Sequence, residues 1–190
     1  MEEQQPRTIA DPQLGEFVLN EDGIHYNGTI RIEDRDIPVS LEAEECILML
    51  GYISTTDFLD MEQLVSRAKQ YAAEELLENA NEWGYDAWAN DLLASAGDSL
   101  AGAGEQPKGA SEQPKTEAEF EEWLKATRPG EEYIPMTEDD FIRRISLESI
   151  TIQDEGEYLL WFNDGDIFWG HTICVIGMVA TGFMDAQIYG

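Results

Sequence analysis

Two stretches of alternating apolar and polar residues, one toward each end of the chain, set the tightest limit on its fold. In the first, Ile24, Tyr26, Ile30 and Ile32 point one way and His25, Asn27, Thr29 and Arg31 the other, the period of two of a half-buried strand. Before it, Gly15-Glu16-Phe17-Val18-Leu19 runs into the turn signal Asn20-Glu21-Asp22-Gly23. After it, Glu33-Asp34-Arg35-Asp36 turns into Ile37-Pro38-Val39-Ser40-Leu41, where Pro38 cannot donate to a ladder and points to an edge strand or an unpaired side. This third of the chain is expected to be a three-stranded antiparallel meander. In the second stretch, Leu147 to Gln153 alternates, Asp154-Glu155-Gly156 turns, and Glu157 to Phe162 continues. Asn163-Asp164-Gly165-Asp166 turns again, Ile167 to Gly177 reads as one long apolar strand, and Met184 to Tyr189 follows the break at Thr181-Gly182. A four-stranded antiparallel meander is expected there.

Between these stretches the period changes to that of a helix. Met61, Leu64, Val65, Ala68, Tyr71, Ala72, Leu76 and Trp83 recur at steps of three and four, with Asp57 as the expected N-cap, Asp60 and Glu62 in the first turn, and Gly84 as the expected end. The stripe reads as a core-facing surface rather than a cofactor box. From Ser95 to Thr116 the composition collapses to Ala, Gly, Gln, Pro, Ser and Lys, with Gly104-Glu105-Gln106-Pro107-Lys108 nearly repeated as Ser111-Glu112-Gln113-Pro114-Lys115. Such a run builds no core and reads as a flexible insertion. Two short helices are expected after it, one from Glu117 to Ala126 with Phe120, Trp123 and Leu124 on its apolar side, and one capped by Thr137 with Asp140 at the third position. The expected fold is therefore α+β: an antiparallel sheet from both meanders with the central helices packed on one face. It forms one domain over residues 14–190, with residues 1–13 a flexible N-terminus and 95–116 a flexible insertion.

Charge narrows the partners. Forty acids stand against eleven bases, a net charge of −29. Such a field repels nucleic acid and anionic membranes and speeds encounter with basic proteins. Three explanations stay open: an acidic surface for solubility, a binder of a basic protein, and, within the second, mimicry of the charge pattern of DNA. Residues 117–140 hold nine acids and two bases (Lys125 and Arg128), so Glu117, Glu119, Glu121, Glu122, Glu131, Glu132 and Asp139 are the candidate binding residues. The N-terminus lacks the basic and apolar regions of a signal peptide, and no apolar run approaches the roughly 20 residues needed to span a bilayer, so a cytoplasmic protein is expected. Cys46 and Cys174 lie in apolar surroundings without a neighbouring base, as buried free thiols do.

The densest chemistry lies at Asp164-Gly165-Asp166-Ile167-Phe168-Trp169-Gly170-His171. His171 with Asp164 and Asp166 suits a carboxylate-oriented base, and Trp169 a binding residue, but a catalytic triad needs a nucleophile and a zinc site needs more His or Cys. The Asp-Gly-Asp run shares the start of a calcium loop and lacks its closing Glu. The glycines precede no helix N-terminus that would hold a phosphate. A turn in which Asp164 bonds its own backbone, with His171 a structural histidine, accounts for the same residues. Neither a metal nor a cofactor is called for.

With Leu147-Glu148-Ser149-Ile150-Thr151-Ile152 and Gly156, this octapeptide resembles a family of uncharacterised bacterial proteins, the domain of unknown function 2262. Leu14-Gly15-Glu16-Phe17 resembles its N-terminal portion; the resemblance covers most of the chain outside residues 84–136, and the Gly/Gln/Pro-rich insertion departs from its pattern. The resemblance implies an α+β fold and a bacterial cytoplasmic setting, and no reaction. The expected function is a non-catalytic acidic interaction module, for example an immunity or inhibitor-type protein masking a basic nucleic-acid-handling partner. The alternative is a small enzyme or ligand-binding protein with its site at Asp164, Asp166, Trp169 and His171.

Overall fold

The computed structural model describes residues 7–11, 15–21, 23–32, 34–42, 60–101, 116–153 and 156–190. It is an α+β protein with three helices and one eight-stranded, mostly antiparallel sheet among these residues. The chain divides into two compact units, Met1–Glu78 with Thr137–Gly190, and Asn79–Met136.

The first unit holds the sheet, whose strands lie in sequence order: β1 (Thr8–Asp11), β2 (Gly15–Leu19), β3 (His25–Ile32), β4 (Arg35–Glu42), β5 (Ser146–Ile152), β6 (Glu157–Asn163), β7 (Thr172–Met178) and β8 (Gly182–Tyr189). Every neighbouring pair is antiparallel except β4 with β5. A parallel pair needs a long crossover, and the whole helical part of the sequence lies between these two strands.

Several expectations are corrected here. The N-terminal meander has four strands, because Thr8–Asp11, assigned to a flexible terminus, pairs with β2 and buries Ile9 opposite Phe17. Ile24 precedes β3 and is exposed, so the inward row begins at Tyr26. β4 is no edge strand: it pairs on both sides, and Pro38 is accommodated because the register with β5 starts one residue later, at Val39. In β5 the buried set changes from Leu147 to Ile150 and Ile152 across a bulge between Leu147 and Ser149, which inserts one residue and turns the later side chains over. The apolar run from Ile167 is not one strand; β7 begins at Thr172, and residues 164–171 form a loop.

Phe17, Tyr26, Leu41, Phe162, Ile173 and Val175 are among the fully buried side chains of this unit. Cys174 is buried with them as a free thiol; Cys46 lies outside the described residues. Helix α1 (Met61–Ala101) starts in this unit. Asp57, the expected cap, lies outside the described residues, and Asp60 takes the part, its carboxylate accepting the Gln63 N–H at 3.0 Å. Leu64, Ala68, Ala72 and Leu76 form the buried stripe, and Tyr71 meets Phe183 of β8 at 5.5 Å between ring centroids.

The second unit, Asn79–Met136, holds the later part of α1, which was expected to stop at Gly84. The helix passes through Gly84 and continues to Ala101, so the stretch from Ser95 to Ala101 is helical rather than linker. One glycine in a helix interior costs only about 1 kcal/mol, which neighbouring turns readily offset. The remainder of the expected insertion, residues 102–115, lies outside the described residues. Thr116 caps α2 (Glu117–Thr127), its hydroxyl oxygen accepting the Glu119 N–H at 3.2 Å.

Thr137 caps α3 (Glu138–Arg144) of the first unit as expected. Its hydroxyl donates to the Asp140 carboxylate at 2.7 Å and accepts the Asp140 N–H at 3.2 Å, and this bonding lowers the pKa of the Asp140 carboxyl.

Candidate functional site

The loop of residues 164–171 is organised around one carboxylate. Asp164 is 1% exposed. Its Oδ1 accepts the Asp166 N–H at 3.2 Å, and its Oδ2 accepts the N–H groups of Phe168 and Gly170 at 2.7 and 3.1 Å. Three converging backbone donors make a nest for an anion, and the side chain of Asp164 fills it. Phe168 is buried against Phe141 of α3, with ring centroids 6.3 Å apart, and Ile167 is buried beside it in sequence. Gly165 has φ +60°, and a Cβ there would lie 2.5 Å from the Arg144 carbonyl oxygen, which only glycine avoids.

The effect of this frame falls on Trp169. Both of its neighbours, Phe168 and Gly170, donate to the same carboxylate oxygen, its own backbone sits at φ +58°, and it is 62% exposed. A bulky residue at positive φ is an outlier held by its surroundings. Asp166, also at positive φ, is exposed. His171 is half-buried, and its Nδ1 lies 2.6 Å from the Phe168 carbonyl oxygen. A carbonyl only accepts, so Nδ1 carries a proton and donates it there. The structure thus places Asp164, Asp166, Trp169 and His171 on one loop, but Asp164 is turned inward to hold the loop. Among the described residues, no group of three or more His, Cys, Asp or Glu is placed to hold a metal ion.

The second unit has a concavity that sequence reasoning missed. A groove of about 420 Å³ is lined by Tyr85 and Trp88 of α1, by Glu121, Leu124 and Lys125 of α2, and by the Arg128–Tyr133 segment. Tyr85, Trp88 and Tyr133 pack at 5.7–5.8 Å between centroids, with the buried Phe120 edge-on to Tyr85 and Trp88. Asn81 ties the segment to the helix: its Oδ1 accepts the Met136 N–H at 2.6 Å and the Tyr133 hydroxyl at 3.3 Å, and its Nδ2 donates to the Met136 carbonyl. Burial raises the Tyr133 pKa. The sequence signal was Tyr85 and Trp88 three residues apart, beside a helical glycine.

The candidate acids are dispersed. Glu121, Glu131 and Glu132 line the groove; Glu119 and Glu122 are exposed on α2; Glu117 opens that helix; and Asp139 is exposed in the first turn of α3. Lys125 pairs with Glu121 at 3.3 Å and Arg128 with Glu131 at 3.2 Å.

The fold and site thus define an α+β protein whose most distinctive loop is built on a buried aspartate. Residues 109–188, which contain that loop, match the model of a bacterial family described as "Uncharacterized protein conserved in bacteria (DUF2262)". The matched span starts within the segment expected to depart from the family pattern and does not reach Leu14–Phe17. No curated protein and no solved structure matches the chain. No helix among the described residues is long and apolar enough to cross a membrane.

Proposed function

We propose that the chain is a non-catalytic, acidic protein-interaction module of the bacterial cytoplasm, and that its partner is a basic protein. The observation that carries this reading is the presentation of Trp169. Asp164 spends its acceptors on fixing the residues to either side, and the indole stands largely in solvent. Tryptophan is the side chain most enriched among binding hot spots, and a fixed one loses little entropy when covered. The net charge of −29 supplies the long-range attraction and selects a partner of opposite sign. An immunity or inhibitor-type protein that masks the basic groove of a nucleic-acid-handling enzyme is one concrete form. Mimicry of DNA is its extreme.

The alternative, an enzyme or ligand-binding protein at the same loop, has Asp166 and His171 for its chemistry once Asp164 is counted as scaffold. The reading is tested by immobilising the full chain, passing native lysate over it at low and high salt, and comparing Trp169→Ala as bait. A basic protein retained at low salt, released at high salt and weakened at least tenfold by the substitution is expected. Retention of no basic protein, or salt-insensitive retention, would sink it.

A further inference from the structure

We infer that the groove of the second unit receives a cationic side chain, an arginine or lysine of the partner; this rests on the reading that the partner is basic. The groove offers what such a side chain needs along its whole length. Leu124 and the rings of Tyr85, Trp88 and Tyr133 cover an aliphatic stem, and ring faces attract the charge at its end. Three carboxylates line the same space, from Glu121, Glu131 and Glu132. The two cations of the lining are already engaged, Lys125 with Glu121 and Arg128 with Glu131 and with the Ser95 hydroxyl. Among the described residues no ion pair reaches Glu132, which is exposed. With the field of the whole chain added, a cation is favoured and an anion repelled.

The volume falls within the roughly 300–1,000 Å³ of pockets that take small ligands, enough for one side chain and its flanking backbone. The wall is also built in advance. Asn81 bonds both ends of the Tyr133–Met136 segment, and Gly84 lets the Tyr133 hydroxyl come so near α1 that a Cβ would lie 2.3 Å from it. Ile134, 85% exposed next to Tyr133 in sequence, adds an apolar surface for the rest of the partner.

The test uses the full chain and two capped pentapeptides, Gly-Arg-Gly-Arg-Gly and its citrulline counterpart, which keeps the shape and removes the charge. Binding is followed by the NMR resonances of the tryptophan indoles, with that of Trp88 assigned from Trp88→Phe. The arginine peptide is expected to shift the Trp88 indole saturably and the citrulline peptide to bind at least tenfold more weakly. Glu132→Gln and Trp88→Ala should each weaken the arginine peptide about tenfold, Trp88→Phe by less, and Glu74→Gln with Glu78→Gln, exposed on α1 and outside the groove lining, by under twofold. Equal binding of both peptides would mean an apolar groove without charge selection and overturn the inference. So would shifts that bypass Trp88, or an unchanged affinity in Glu132→Gln. A salt-sensitive basic partner in lysate together with an indifferent groove would remove this inference alone, whereas arginine capture by the groove without any such partner would remove the interaction-module reading.

Discussion

The loop of residues 164–171 and the groove of the second unit hold similar residue types, carboxylates beside aromatic rings, and turn them in opposite directions. In the loop the Asp164 carboxylate faces inward onto three backbone N–H groups, and Phe168 is buried beneath it. In the groove, Tyr85, Trp88, Tyr133 and three glutamates line a concavity. A buried carboxylate with satisfied donors does the work of architecture, since leaving such donors unpaired is expensive. Of the carboxylates around the open groove, Glu121 and Glu131 already pair with Lys125 and Arg128, and Glu132 keeps its charge available for something that arrives. Asp164, a carboxylate that looks like part of an active site in the sequence, is thus committed to holding the loop.

Removing the scaffold gives the largest expected effect. Asp164→Ala leaves three N–H groups without their acceptor, and a hydrogen bond to a charged group is worth roughly 1.5–3 kcal/mol, so a loss of about 3–4 kcal/mol in unfolding free energy is expected after partial rehydration. Asp164→Asn, which keeps one acceptor oxygen, should lose about half of that. Urea denaturation measures both. An unchanged midpoint in Asp164→Ala would end the scaffold argument and return Asp164 to the list of candidate catalytic groups.

The same inward commitment extends to β7, which follows the loop. Burial, with Glu157 and Asp185 adding, pushes the Cys174 thiol up to about 12 from its ordinary 9.0. The folded state holds this proton more tightly than the unfolded chain, so the contribution is intact below pH 9 and is lost as pH rises from 9 toward 12, by at most about 1.4 kcal/mol per pH unit. Against Cys174→Ala, which lacks this proton, the wild type should lose an additional amount on the order of 2 kcal/mol by pH 11. Parallel stability profiles for the two chains between pH 9 and 11 would show that the thiol ionises without resistance.

How far each region was legible follows from the range of its signals. Most strands between Gly15 and Glu42 and between Ser146 and Tyr189, the Thr137 cap and the turn at Asp164 are written within a few residues, as alternation, capping and Asp-Gly chemistry, whereas Thr8–Asp11 carries no such signal. Gly84 misled because glycine stops a helix or passes through one according to what packs on it, and its neighbour here is Tyr133, forty-nine positions later. The groove was invisible for the same reason: Trp88 and Glu132 are brought to one cavity only by the fold. The bulge in β5 and the parallel join of β4 to β5 are likewise products of pairing partners distant in sequence.

Trp169 sharpens the comparison from the loop's outward side. Its φ of +58° is one that glycine adopts without strain, so Trp169→Gly should gain stability from that relief, about 1 kcal/mol before the extra entropy of an unfolded glycine is deducted. Set against the contacts that the indole gives up, this relief should keep stability in thermal unfolding within about 1 kcal/mol of wild type while retention of the basic partner falls. A chain that loses more than 1 kcal/mol on this substitution would have its indole employed in folding, and the case for Trp169 as a presented anchor would fail.

The smallest expected change in stability comes from Gly84→Ala, and its value lies in the near-cancellation. Helix propensity alone favours alanine by about 1 kcal/mol. The new Cβ would stand 2.3 Å from the Tyr133 hydroxyl oxygen, so the ring must move and its 3.3 Å bond to Asn81 lengthen or break, a loss of roughly 1 kcal/mol. The two effects should leave the unfolding free energy within about 0.5 kcal/mol of wild type, while the Trp88 indole resonance shifts and the arginine peptide binds more weakly. Should alanine deliver its full propensity gain with the Trp88 signal unmoved, Tyr133 would not depend on the missing Cβ. The groove would then lose its claim to a wall fixed in advance, and the contrast with the loop would reduce to one of exposure alone.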